Sequence, residues 1–187
     1  ARTGTTWTQT AILSGSCSEA NGRYGSAVAI SGDGLIWAVG APDEPSESGT
    51  PSAGTAYFYF DHTHPFMSSR VLGPGGGRGD HYGGSISLDR TGRTAVVGAM
   101  GQTVAGKTTG AAYIHRRKVT AFDVGVPLQP SNLNPDGEFG RSVSISSDGS
   151  ALLVGSPPKV AAIRPGAYFG AVYYFLKSGI DWPEHSK

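Results

Sequence analysis

Residues 24–42 read YGSAVAISGDGLIWAVGAP, and the chain repeats this pattern as YGGSISLDRTGRTAVVGAM over 82–100 and FGRSVSISSDGSALLVGSP over 139–157. The pairs Tyr24-Gly25, Tyr82-Gly83 and Phe139-Gly140 recur at spacings of 58 and then 57 residues, and Gly40, Gly98 and Gly155 keep the same spacings. Glycines, turns and apolar runs matched at a fixed period mark a repeat architecture. The chain holds 29 glycines and 12 prolines in 187 residues, a content close to that of disordered segments. Here the glycines fall in register, so they read as turns.

Each period predicts four short strands and no helical periodicity. In the first copy, SAVAI (26–30) is followed by the hairpin-type turn Gly32-Asp33-Gly34, and the chain returns as a strand over 35–41 until Pro42 removes a ladder donor. A polar loop leads to TAYFYF (55–60), the strongest strand signal, aromatic and β-branched between turns. Residues 67–72 form the fourth strand. The second copy repeats the order with SISL, TAVVGAM, GAAYIH and FDVGVPL, and the third with SVSI, ALLVGSP and GAVYYFL. Four-stranded antiparallel sheets in tandem are the blades of a β-propeller, so the expected fold class is all-β with blades of that type. The expected boundaries are 24–81, 82–138 and 139–187 for the three repeats. Residues 1–23 supply an N-terminal strand that completes a blade, and the C-terminal tail starts a next outer strand.

Bulk properties exclude several classes. Charged residues make up 16% and the formal net charge is +1, which gives no reason to expect nucleic acid or an anionic membrane as partner. No apolar run approaches the roughly 20 residues that cross a bilayer, so no membrane insertion is expected. The sequence starts at Ala1 with no signal-peptide pattern, as expected of a processed mature chain or a piece of a longer one. Cys17 is the only cysteine. It forms no internal disulfide and is expected as a buried thiol, ahead of a bond to another chain.

The three copies resemble FG-GAP repeats, the units of the integrin α-chain propeller. Tyr24-Gly25, Tyr82-Gly83 and Phe139-Gly140 match the first half of that motif. Gly40-Ala41-Pro42, Gly98-Ala99-Met100 and Gly155-Ser156-Pro157 match the second, and a Gly-x-x-Tyr follows at 54–57, 110–113 and 170–173. The resemblance implies an extracellular or cell-surface location. It also implies a calcium loop between the first and second strands, where calcium would need six to eight oxygen ligands. Here those loops carry one carboxylate each, Asp33, Asp89 and Asp148, and the position of a further carboxylate is Trp37, Ala95 or Leu152. The copies thus look more like the metal-free branch of that family, and the expectation is no metal and no cofactor, with the three Asp residues serving the turns.

Outside the repeat motif, few residues suggest chemistry. Arg78-Gly79-Asp80 spells the tripeptide that integrins recognise, although it also falls where the third copy has Asp136-Gly137-Glu138. Asp61, His62 and His64 follow a strand, and His62 and His64 make a plausible pair of zinc ligands without an identifiable third. Arg116 and Arg117 belong to a short basic run suited to an acidic or sulfated surface, or simply to a solvated strand end. No nucleophile elbow, metalloprotease spacing, phosphate loop or glycosylation sequon is present. No catalytic activity is expected.

Closed propellers typically have about four to eight blades, and three copies fall short of that. The chain is expected to need neighbours: further blades of a longer chain, or other copies of itself joined into a ring or a filament. The reading is a non-enzymatic extracellular interaction or adhesion module that binds a cell-surface protein or glycan through its longest loops, 43–53, 101–109 and 157–169. The alternative is a structural subunit of a filament or surface layer assembled by contacts between chains.

Overall fold

The computed structural model describes residues 2–9, 11–15, 21–60, 68–135, 137–159 and 168–186. Cys17, Asp61, His62 and His64 lie outside them. Among the described residues the fold is all-β, built of three four-stranded antiparallel sheets and two small hairpins. One hairpin pairs β1 (Arg2–Thr3) with β2 (Thr6–Trp7). The first sheet runs in chain order through β3 (Ala27–Ile30), β4 (Ile36–Ala41), β5 (Thr55–Phe60) and β6 (Ser68–Leu72). The second uses β7 (Tyr82–Leu88), β8 (Thr94–Ala99), β11 (Ala111–Arg116) and β12 (Val126–Pro127). Between its second and third strands stands the other hairpin, β9 (Thr103–Val104) with β10 (Lys107–Thr108). The third sheet is β13 (Ser142–Ile145), β14 (Ala151–Ser156), β15 (Ala171–Leu176) and β16 (Glu184–Ser186).

Burial shows how the sheets stack. Strand side chains alternate between faces, so a strand covered on one side alternates in exposure and one covered on both sides does not. β8 is buried at every position, and β3 and β14 alternate. β5 is also buried throughout, because Tyr24 and Leu13 pack against the side of it that faces away from the second sheet. The second sheet is therefore the filling between the other two. One apolar cluster joins the first and second sheets around Phe58, Tyr82 and Val97. Another joins the second and third around Ile114, Phe139 and Tyr173.

The N-terminal segment differs from expectation. The first strands pair with each other, and the fourth position of the third sheet is taken by Glu184–Ser186. The C-terminal tail thus finishes its own sheet. Trp182 explains the choice: it is 8% exposed within the second cluster and pins the tail there, while Trp7 stays 77% exposed. The fourth strand of the second sheet is also shorter than the pattern FDVGVPL suggests. Phe122 keeps only an isolated bridge to Arg117, and its ring stacks on Phe58 of the first sheet, 4.1 Å between ring centroids.

Candidate functional site

The repeated motif residues assemble the contacts between sheets. Tyr24, Tyr82 and Phe139 each pack edge-on against the Tyr of the following Gly-x-x-Tyr, with centroid separations of 5.4, 5.9 and 5.0 Å to Tyr57, Tyr113 and Tyr173. Two residues further along the same strand stand Tyr59, His115 and Phe175. Tyr24 and Tyr59 share a 2.7 Å hydroxyl contact, Tyr82 donates to His115 Nε2 at 2.6 Å, and Phe139 meets Phe175 ring to ring. His115 Nδ1–H donates to the Asp123 carbonyl at 2.9 Å, which leaves Nε2 as the acceptor. Burial holds the His115 pKa below its ordinary value and pushes that of Tyr82 well up.

The glycines then let one sheet approach the next. Gly25, Gly83 and Gly140 take φ of 92°, 87° and 88°. The Gly83 carbonyl oxygen comes so close to Gly40 that an added Cβ there would lie 1.9 Å away, and Gly140 does the same over Gly98. Tyr82 N donates to Ala53 O at 3.1 Å, Phe139 N donates to Thr109 O at 2.9 Å, and each aromatic forms a parallel bridge to Gly54 or Gly110. The two contacts between sheets are one joint made twice.

The hairpins between first and second strands lie at the opposite end of the sheets. Asp33 Oδ1 accepts from Ser31 Oγ at 2.6 Å and from Leu35 N at 3.0 Å, and Asp148 Oδ1 does the same with Ser146 Oγ and Ser150 N. These bonds, led by the serine hydroxyl, lower the Asp148 pKa to about 2. Asp89 sits two residues earlier in its turn, in the place of Ser31 and Ser146. Its carboxylate accepts from the amides of Thr91, Arg93 and Thr94. One carboxylate per turn, already taken up by the turn's own donors, does not fit the oxygen set that calcium demands. Among the described residues no group of three His, Cys, Asp or Glu is placed to hold a metal ion.

The longest loops emerge at the other end, where the motif glycines stand, and this loop end is the candidate site. Asp43, just after Gly-Ala-Pro, receives Arg23 Nη1 at 3.3 Å and contacts His81 Nδ1 at 2.9 Å, linking the first sheet to the start of the second. Glu44 is 2% exposed and accepts from Tyr57 OH at 2.7 Å, and Gln102 Oε1 plays the same part for Tyr113 at 2.6 Å. Every non-glycine residue with positive φ among those described lies at this end: Arg23, Ser52, His81 and Ala105, at φ of 50° to 52°. Such conformations cost on the order of 1–3 kcal/mol each and collect where a surface is held in a set shape.

The structure separates the residues singled out from sequence. Asp80 is 5% exposed, with Oδ2 accepting Gly77 N at 2.8 Å, while Arg78 is exposed. The tripeptide therefore turns its carboxylate inward, against its reading as an adhesion motif. Arg116 donates to the Ile180 carbonyl, and Arg117 N donates to Arg93 O at 2.8 Å. Arg117, Arg93, Lys118 and Val119 line a shallow hollow at the turn end, away from the loops. Asp43, Glu44 and His81 escape the sequence reading, and His115 enters it only as the start of the basic run, although the repeat holds a signal. His115 stands in the alignment column of Tyr59 and Phe175, an odd polar residue in an aromatic position.

Comparison with known proteins bears on this geometry. A family model described as FG-GAP repeat matches residues 7–59 and 68–115. No curated protein sequence matches the chain. Among solved structures, the periplasmic gluconolactonase of Pseudomonas aeruginosa is 16% identical with a TM-score of 0.50. That alignment covers 81% of this chain and 39% of the gluconolactonase. Hydrazine synthase of Kuenenia stuttgartiensis aligns at 13% identity and a TM-score of 0.39, over 89% of this chain and 49% of the other. The chain thus spans about two fifths and one half of these two proteins. The first likeness concerns the fold, which is β-propeller-like. The matched repeats cover more than half of the 187 residues, and the chain belongs to the FG-GAP repeat family.

Proposed function

We propose that this chain is a non-enzymatic interaction module that acts outside the cytoplasm, its three sheets serving as propeller blades and its loop end as the binding surface for a protein or glycan. The observation that carries the reading is the loop end itself. Four strained non-glycine residues and the Arg23–Asp43–His81 contacts shape loops 43–53 and 101–109 and their surroundings. Rigid sheets that display shaped loops suit recognition. The acidic groups there have structural partners: Glu44 holds Tyr57, Asp80 holds a glycine amide, and Asp43 ties two sheets together. Membership of the FG-GAP family and the fold shared with a periplasmic protein support a location outside the cytoplasm.

Screening the purified chain on a glycan array and on immobilised surface proteins tests this. Arg23→Ala with Asp43→Ala should weaken whatever binding is found at least tenfold, while Lys118→Ala at the turn end should leave it unchanged. The reverse pattern would sink the assignment. A second reading, a structural subunit of an extracellular filament or surface layer, is favoured by one observation. Apolar side chains on the outward faces of the first and third sheets reach solvent, Val28 73%, Ile30 63% and Val172 55% exposed, although Val39, Tyr57 and Tyr59 of the first are buried with Leu13 and Tyr24 against them.

A further inference from the structure

The two joints inside the chain define two kinds of face. A leading face carries the aromatic–Gly pair and a set of apolar side chains. In the second sheet these are Tyr82, Ile86, Leu88, Val97 and Tyr113, all buried against the first sheet. A trailing face carries the glycine of Gly-Ala-Pro, the glycine before the third strand, and the opposite side chains of the first two strands. On the second sheet this face includes Ser85 and Ser87, and both hydroxyls work in the joint. Ser85 Oγ donates to Gly140 O at 2.8 Å, and Ile145 N donates to Ser87 Oγ at 3.2 Å.

The outermost sheets carry the same two faces. The third sheet's trailing face is open, and the first sheet's leading face is open along β3, while its Val39, Tyr57 and Tyr59 are buried with Leu13, Tyr24 and Trp37 packed against them. On the first sheet the positions of Ile86, Leu88 and Val97 are Val28, Ile30 and Val39, and the aromatic–Gly pair is Tyr24-Gly25. Val28 and Ile30 stand in solvent, whereas Ile86 and Leu88 are 9% exposed, and an added Cβ on Gly25 would meet nothing within 4 Å. On the third sheet Ser142 and Ser144 occupy the positions of Ser85 and Ser87. Gly155 and Gly170 occupy those of Gly98 and Gly110, without the carbonyl that presses on the inner pair. Leu153 and Val172 complete this face at 45% and 55% exposure. The third sheet thus keeps the serines and glycines of a joint that its own chain does not fill in this structure.

We propose that the leading face of the first sheet and the trailing face of the third are two halves of a further joint, closed by a second copy of this chain. The occupant follows from the template. The trailing face offers Ser142 Oγ to the Gly25 carbonyl, Ser144 Oγ to the Ile30 amide and the Phe169 carbonyl to the Tyr24 amide. The two serine contacts copy the joint between the second and third sheets, the first sheet having Ala27 and Ala29 in place of those serines, and the carbonyl-to-amide contact copies both joints. Apolar side chains and the two serines make up the exposed parts of both faces, and the charge on the leading face, Arg70 opposite Tyr57, lies 3.8 Å from Glu47. The contact is heterologous: two copies close a six-bladed ring, and a different rotation yields an open filament. Burying apolar faces that would otherwise meet water drives the association. The proposal rests on the blade reading above but not on the loop end.

The test uses Val28→Lys to block the leading face and Val172→Lys to block the trailing face. Both side chains are exposed, and near-ultraviolet circular dichroism checks that each variant folds. Ile30→Lys and Leu153→Lys repeat the blocks at second positions. By analytical ultracentrifugation the wild-type chain should sediment at twice its 19.3 kDa mass or more. Each variant alone should be monomeric, and a 1:1 mixture of the two blocks should give a dimer that grows no further. A monomeric wild type overturns the proposal, as does either variant associating by itself, which would mean like-to-like sticking. If the joint fails while Asp43→Ala still weakens ligand binding, the loop-end assignment stands alone.

Discussion

At the scale of single residues, the joint depends on glycine where no side chain fits. A Cβ on Gly98 would stand 1.9 Å from the Gly140 carbonyl oxygen, and neither backbone can yield without separating the sheets. Gly98→Ala should therefore cost at least about 1–3 kcal/mol in urea unfolding, the range for overpacking. Gly155→Ala, opposed in the monomer mainly by the rotatable Ser142 hydroxyl, should cost clearly less. His115 is the other telling residue. The unfolded chain protonates it near the ordinary value of 6.5, and the folded chain only below that, because burial disfavours the imidazolium. Its contribution to stability is complete above that value and falls as pH drops toward the lowered folded pKa. His115→Phe should flatten that acid slope and leave the buried Tyr82 hydroxyl without its acceptor, at about 1–3 kcal/mol. Adding Tyr82→Phe recreates the Phe139–Phe175 pair of the second joint and should recover most of the loss, as measured by chemical denaturation at several pH values.

At the scale of elements, the hairpin turns show one device written two ways. In the first and third repeats a serine begins the turn and an aspartate follows two residues later; in the second the acid comes first, as Asp89, and Thr91 follows. Asp89→Ala strips the acceptor from three turn amides and should cost about 1–3 kcal/mol. Asp89→Ser combined with Thr91→Asp restores the other arrangement and should recover stability in thermal melts. A double variant as weak as Asp89→Ala would contradict this account of the turn. This element was legible in the sequence because glycines and strand residues recur in register. The loop-end contacts were not. Asp43 and His81 are 38 positions apart and meet only because the joint brings two sheets together, which no local pattern announces. The burial of Asp80 was hidden for a similar reason. Its tripeptide looks like an exposed glycine-rich loop, but the second sheet packs its start against residues 51–53 of the preceding loop and draws Asp80 inward.

At the scale of the whole molecule, three sheets and two filled joints leave, among the described residues, the β3 side of one leading face and one trailing face exposed. The period in the sequence announced the number of sheets. It could not say how the end segments pair, because Trp7 and Trp182 stand at the same phase and only Trp182 finds an apolar cluster to enter. The central claim is that one glycine-built joint, used twice within the chain, is used again between chains. Hydrogen–deuterium exchange at single-amide resolution, run across a dilution series, tests it most directly. Tyr82 N and Phe139 N donate across the filled joints and should stay protected at every concentration. The equivalent Tyr24 amide should exchange fast in dilute protein and gain protection as the chains associate. Fast exchange at Tyr82 and Phe139, or a Tyr24 amide whose exchange ignores concentration while the protein associates, would contradict the account.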